Sequence, residues 1–170
     1  PGYTPARLGY AYNPQRAKEL LAEAGYPGGK GLPVIDLWYS SKEETTRQEL
    51  ALYRAYLAAI GVTLEIHEAE SWQALDTLLQ EGKASMFRLG WHSDIPDPDH
   101  FFFPLLFSTS KTNRGAYQNP QLDRLITAAR QEAKYLQRIA LYREIEQLAV
   151  ADAPWINQHH RVFEYLYQPY

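Results

Sequence analysis

The 170-residue chain contains no cysteine, which excludes disulfide bridges and thiolate metal sites. It also lacks a long apolar run. The longest, Phe101 to Phe107, is broken by Pro104 and falls far short of the roughly 20 residues a membrane-spanning helix needs. Lys and Arg are scattered, and the formal net charge is −3, so phosphate-tracking binding of nucleic acid is excluded too. Nucleophile elbows, phosphate-cradling glycine loops and His-Glu-x-x-His helices are all missing. The want of cysteine suits a cytosolic protein and an exported one alike, so it leaves the compartment open.

What is present is a globular composition, 45% apolar and 22% charged. Its length predicts one domain over residues 1–170. The chain opens at Pro1-Gly2 without Met or an apolar leader and closes at Gln168-Pro169-Tyr170 after an aromatic run. Both ends give the expectation of a domain excised from a longer protein.

Local signals alternate helix and strand. Asn13-Pro14 is a helix start, with Ala17, Leu20, Leu21 and Ala24 on one face and Gly25 as the stop. Pro33 to Tyr39 predicts a strand and Glu43 to Ile60 a helix ended by Gly61. Val62, Leu64 and Ile66 alternate with polar residues as a half-buried strand does. Ser71 caps a third helix that Gly82 stops, and Ala84 to Trp91 predicts a third strand. Asn119-Pro120 starts another helix, 136–152 a further one, and 155–167 one or two closing strands. The expected fold class is α/β, a mixed β-sheet flanked by helices.

One loop stands out. Gly90 to Asp99 packs Trp91, His92, Asp94, Asp97 and Asp99 around Pro96 and Pro98, ahead of His100 and three phenylalanines. Prolines fix the backbone and bias the preceding residue away from helix. A rigid loop that sets acids beside aromatic walls is suited to receive a ligand, since exposed aromatic area is costly to leave in water. Asp97-Pro98-Asp99 reads as the start of the following helix, where acids complement the positive end.

Several segments in register then resemble one family. Tyr12-Asn13-Pro14 through Ala24-Gly25-Tyr26-Pro27, Ala59-Ile60-Gly61-Val62, Ser71-Trp72, Gly90-Trp91 through Asp94, and Asp97-Pro98 with Phe101 lie in order. So do Tyr117 through Ile126, Leu141 through Glu146, and Ala153-Pro154-Trp155-Ile156-Asn157. Together they resemble the extracytoplasmic solute-binding proteins of ABC importers, the dipeptide/oligopeptide-binding family. The resemblance implies one lobe of a two-lobed, periplasmic-binding-protein-like (type II) fold, here the C-terminal ligand-binding lobe. It also implies a periplasmic or lipid-anchored receptor that takes peptides or similar small solutes. Its partners would be its own N-terminal lobe and the ABC permease subunits, with no cofactor, metal, nucleic acid or catalysis.

By position in Gly-Trp-x-x-Asp, Asp94 matches the family acid that pairs with a ligand's α-amino group. Trp91 would wall the pocket, and the edge from Gly90 to His92 would pair with an extended ligand main chain. Arg88 matches a position that meets a ligand carboxylate in some relatives, and Asn113 lies in a turn that relatives bring to the cleft. The rival reading is a metal-dependent hydrolase built on His92, Asp94, Asp97, Asp99 and His100, with His159-His160 as the other histidine-rich segment.

Overall fold

Polar caps ahead of prolines set two of the helix starts. In the computed structural model, which describes residues 9–158 and Gln168, the Asn13 side chain accepts from the Arg16 amide at 2.9 Å. Helix α1 (Pro14–Glu23) begins there. Strand β1 (Ile35–Tyr39), helix α2 (Glu44–Ala58), strand β2 (Leu64–Glu68), helix α3 (Trp72–Gln80) and strand β3 (Met86–Phe87) follow. A 3-10 turn over Pro27–Gly29 joins α1 to β1. There a Cβ on Gly29 would stand 1.7 Å from the Gly61 carbonyl oxygen, and one on Gly61 2.1 Å from that of Gly28. With both residues at positive φ, only glycine lets these two backbones touch.

Strand β1 pairs in parallel with both neighbours, in the order β2-β1-β3. Period-two alternation turns Ile35, Leu37, Tyr39, Leu64, Ile66 and Met86 to one face, which Leu50, Tyr53 and Leu57 of α2 cover. Trp38 and Phe87 face the other way, against Ala74, Leu75 and Leu79 of α3. Among the described residues the sheet is parallel throughout. Trp155 to Gln158 carry no strand, and the rest of the expected closing segment, His159 and His160 included, lies outside the described residues.

The chain then becomes helical: α4 (Asp99–Leu106), α5 (Pro120–Gln131) and α6 (Tyr135–Asp152). Leu105, Leu106, Leu122, Ile126, Ala129, Tyr142 and Ile145 form their common core. Leu122, Ile126 and Ile145 are 0% exposed, and each such side chain contributes about 1.5–3 kcal/mol of burial. The sheet and the helical trio therefore have separate apolar cores. Arg114, after α4, reaches across to Asp76 of α3 at 2.7 Å.

Two expectations are corrected. Helix α1 fully buries none of its residues: Ala17 and Leu21 are half-buried and Leu20 is 49% exposed. The third strand is shorter than Ala84 to Trp91. The Arg88 amide still donates to the Trp38 carbonyl at 2.9 Å, but the next rung of a parallel ladder would fall beyond Tyr39, where β1 ends.

Candidate functional site

Residues 88–98 run from β3 to the first turn of α4, and both ends of the loop are fastened. At the near end the Arg88 guanidinium donates to Glu49 of α2 at 3.1 Å, with side chains 16% and 25% exposed. At the far end Arg138 of α6 grips Asp97 through both carboxylate oxygens, each at 2.8 Å. Those bonds hold the Asp97 carboxyl below the usual carboxylate range, against burial, which pushes it up. Asp97 also accepts the Asp99 amide at 2.9 Å, which satisfies a free donor at the start of α4. Asp99 in turn takes the Tyr142 hydroxyl at 3.1 Å and pairs with Arg130 at 3.3 Å. Burial first, and then Asp99, raise the Tyr142 hydroxyl above its ordinary range.

Between these anchors the loop braces itself. The Trp91 indole N–H donates to the His100 carbonyl at 2.6 Å, leaving the ring 42% exposed. The Ser93 hydroxyl and the Asp97 amide both donate to the Ile95 carbonyl. Asp94 sits inside this frame and is exposed. No described residue makes a hydrogen bond or ion pair with its carboxylate. Gly90 and His92 are exposed as well. A Cβ on Gly90 would meet nothing within 4 Å, so the lobe itself makes no demand for glycine there.

Gly90, Trp91, His92 and Asp94 thus share one exposed loop. The other two expected residues are engaged differently. Arg88 stands at the base of the loop in its pair with Glu49. The Asn113 amide donates to the carbonyls of Phe107 and Tyr117 at 3.3 and 2.8 Å, and its oxygen accepts the Tyr117 amide. Its side chain braces its own turn.

The metal-hydrolase alternative finds no support. Asp97 and Asp99 turn their oxygens to Arg138, Arg130 and Tyr142, which occupy the lone pairs a cation would need. The group of potential ligands that does converge among the described residues lies elsewhere, at Asp36, Glu65 and His67. Asp36 faces Glu65 across the β1–β2 ladder, and Trp38 faces His67. The His67 imidazole lies 2.8 Å from Asp36 and stacks on Trp38 at 4.7 Å. Ordinary cross-strand pairing accounts for that cluster, at the part of this sheet face beyond Trp38. Sequence reasoning missed it because strand register is invisible in one dimension. It also missed Arg130, Arg138 and Tyr142, whose one local sign is the helical i, i+4 spacing of the last two.

Comparison with known proteins shows the family. The sequence profile of bacterial extracellular solute-binding proteins, family 5 (middle region), matches residues 1–113. Heme-binding protein A of Haemophilus influenzae is 32% identical over 159 residues, covering 90% of this chain and 28% of its own length. Glutathione-binding protein GsiB of Pectobacterium atrosepticum is 29% identical over 155 residues, covering 86% and 30%. Among solved structures, the chain is similar to the periplasmic binding protein DppA of Helicobacter pylori in complex with peptide STSA. That likeness has a TM-score of 0.80 at 28% identity and covers 90% of this chain and 30% of the other. A dipeptide-binding protein of Pseudoalteromonas sp. SM9913, in complex with Met-Leu, gives 0.78 at 29% identity, covering 90% and 31%. The chain spans less than a third of the length of each of these four proteins.

Proposed function

Because the chain belongs to the bacterial extracellular solute-binding proteins of family 5, we propose that it is the C-terminal, ligand-binding lobe of a two-lobed receptor. That receptor works outside the cytoplasmic membrane and hands peptides, or similar small solutes, to the permease of an ABC importer. Its role is capture, not catalysis. No helix among the described residues is long and apolar enough to cross a membrane. The observation that carries the reading is Asp94, an exposed carboxylate without a described partner on a loop whose other two acids are paired.

A peptide's α-ammonium must lose water when a cleft closes over it, and a carboxylate offsets that loss through a charge-assisted hydrogen bond. Asp94 supplies that carboxylate. Trp91 gives an apolar wall whose indole N–H is already satisfied by His100, so the ring can be covered without leaving a buried donor. Gly90 and His92 continue the chain past the end of β3, where the backbone has no neighbouring strand among the described residues. An extended ligand can add along that edge, gripping main chain and leaving side-chain identity open. The absent side chain at Gly90 gives room for such an approach. Arg88 and Asn113 act beneath and beside the loop. For Arg88 to meet a ligand carboxylate it would have to leave Glu49.

Two relatives support a peptide as ligand, since those from H. pylori and Pseudoalteromonas were solved with peptides bound. Ligand contacts made only in the closed form would shift the equilibrium between lobes toward closure. The test is Asp94→Asn in the full-length protein, titrated by calorimetry with a free-amine tripeptide. The affinity is expected to fall by about 1.5–3 kcal/mol, the range for a hydrogen bond to a charged group. An unchanged affinity would remove Asp94 from the site.

A further inference from the structure

We infer that Arg138 of α6 is a positioning residue for ligand binding: by clamping Asp97 it sets where Asp94 presents its carboxylate. This rests on the reading of Asp94 as the partner of a ligand ammonium. Arg138 lies 44 residues after Asp94 in the chain, and it holds the loop through its grip on Asp97.

Three features separate this clamp from an ordinary surface ion pair, which contributes little. The contact is bidentate, with both distances at 2.8 Å, so it fixes the plane of the Asp97 carboxylate as well as its position. It is sheltered, with Arg138 22% and Asp97 28% exposed, and the guanidinium lies over the Tyr142 ring at 4.9 Å. And the force is passed on locally. The Asp97 amide donates to the Ile95 carbonyl at 2.7 Å, and the Ser93 hydroxyl donates to the same carbonyl. The two residues that flank Asp94 are therefore tied to each other and, through Asp97, to α6.

The clamp has a second consequence, for choice among acids. The loop carries three aspartates within six residues, at 94, 97 and 99. Arg138 neutralises Asp97, and Arg130 pairs with Asp99. Asp94 is left as the loop carboxylate to which an incoming cation is drawn. An acid held in a fixed place before binding needs no ordering when the ligand arrives, which raises affinity without any new contact.

The experiment compares a free-amine tripeptide, Ala-Leu-Phe, with its N-acetylated form, by calorimetry on the full-length protein. Wild type is expected to prefer the free amine by about tenfold or more. Arg138→Met and Asp97→Ala should each abolish most of that preference while leaving the affinity for the acetylated peptide nearly unchanged. Adding Arg138→Met to Asp94→Asn should change nothing further. A clamp that only stabilised the fold would instead weaken both peptides alike. Asp97→Ala removes the clamp without exposing a second acid, and it decides the matter if Arg138→Met fails to fold. The inference is overturned if Asp94→Asn abolishes the preference and the two clamp variants retain it. If Asp94→Asn itself retains the preference, or wild type shows none, the reading of Asp94 fails and the inference falls with it.

Discussion

In the sheet half, residues 14–87, position is set by backbone. Strand β1 is paired on both sides, and a contact between glycine backbones at Gly28, Gly29 and Gly61 ties the turn after α1 to the turn before β2. In the helical half, residues 99–152, position is set by side chains: an apolar core through α4, α5 and α6 and a row of arginine pairs along one edge. The two cores share no buried residue. Among the described residues, the Asp76–Arg114 pair and the loop that starts on β3 and ends under Arg138 span the seam. Tyr142 belongs to both core and seam, packed in the helical core and bonded to Asp99 and Arg138. A change in the sheet core is expected to leave Asp94 in place, and loss of the Arg138 charge to move it.

The largest expected effects test that division. Leu50→Ala in the sheet half and Ile126→Ala in the helical half should each cost about 2–5 kcal/mol, since both side chains are essentially fully buried. Hydrogen exchange of the full-length protein should show the loss confined to the half that carries the change. Equal acceleration in α2 and α6 from either variant would merge the halves into one unit. A smaller effect probes the seam. Arg114→Met removes a pair whose side chains are 20% and 22% exposed, leaving Asp76 with Gln80 as its neighbour. A loss of about 1–3 kcal/mol is expected, with a shallower denaturant transition as the halves separate. An unaltered transition would make the pair incidental.

The smallest effects compare two caps of the same sequence. Asn119 accepts the amides of Gln121 and Leu122, and its own amide reaches Asp152 at the end of α6. Asn13 accepts one amide, on a helix that fully buries nothing. Asn119→Ala should lower stability by about 1–2 kcal/mol and Asn13→Ala by a few tenths. Equal losses in a thermal melt would mean that cap chemistry alone matters, whatever the helix is packed against.

The same two caps show what could be read in one dimension. Helix starts at Asn13, Ser71 and Asn119 follow from local hydrogen bonding and stand where they were expected. The alternation of Leu37 and Tyr39 against Trp38 follows from the pleat. The irregular loop from Gly90 to Pro98 was legible for a similar reason, because prolines and acids carry their preferences with them. Burial of α1 was not, since Ala17, Leu20 and Leu21 form an apolar face whether or not an element covers it. The extent of β3 depended on where β1 stops, and the pairings of Arg138 and Arg130 on a chain reversal more than thirty residues long. Long-range partners of that kind leave no periodic mark.

The most direct measurement is a crystal structure of the full-length protein with a free-amine tripeptide bound. The ligand's amino nitrogen is expected about 2.7–2.9 Å from an Asp94 carboxylate oxygen, with Asp97 still held by Arg138. An amino nitrogen paired with another acid, and Asp94 left facing solvent, would contradict it.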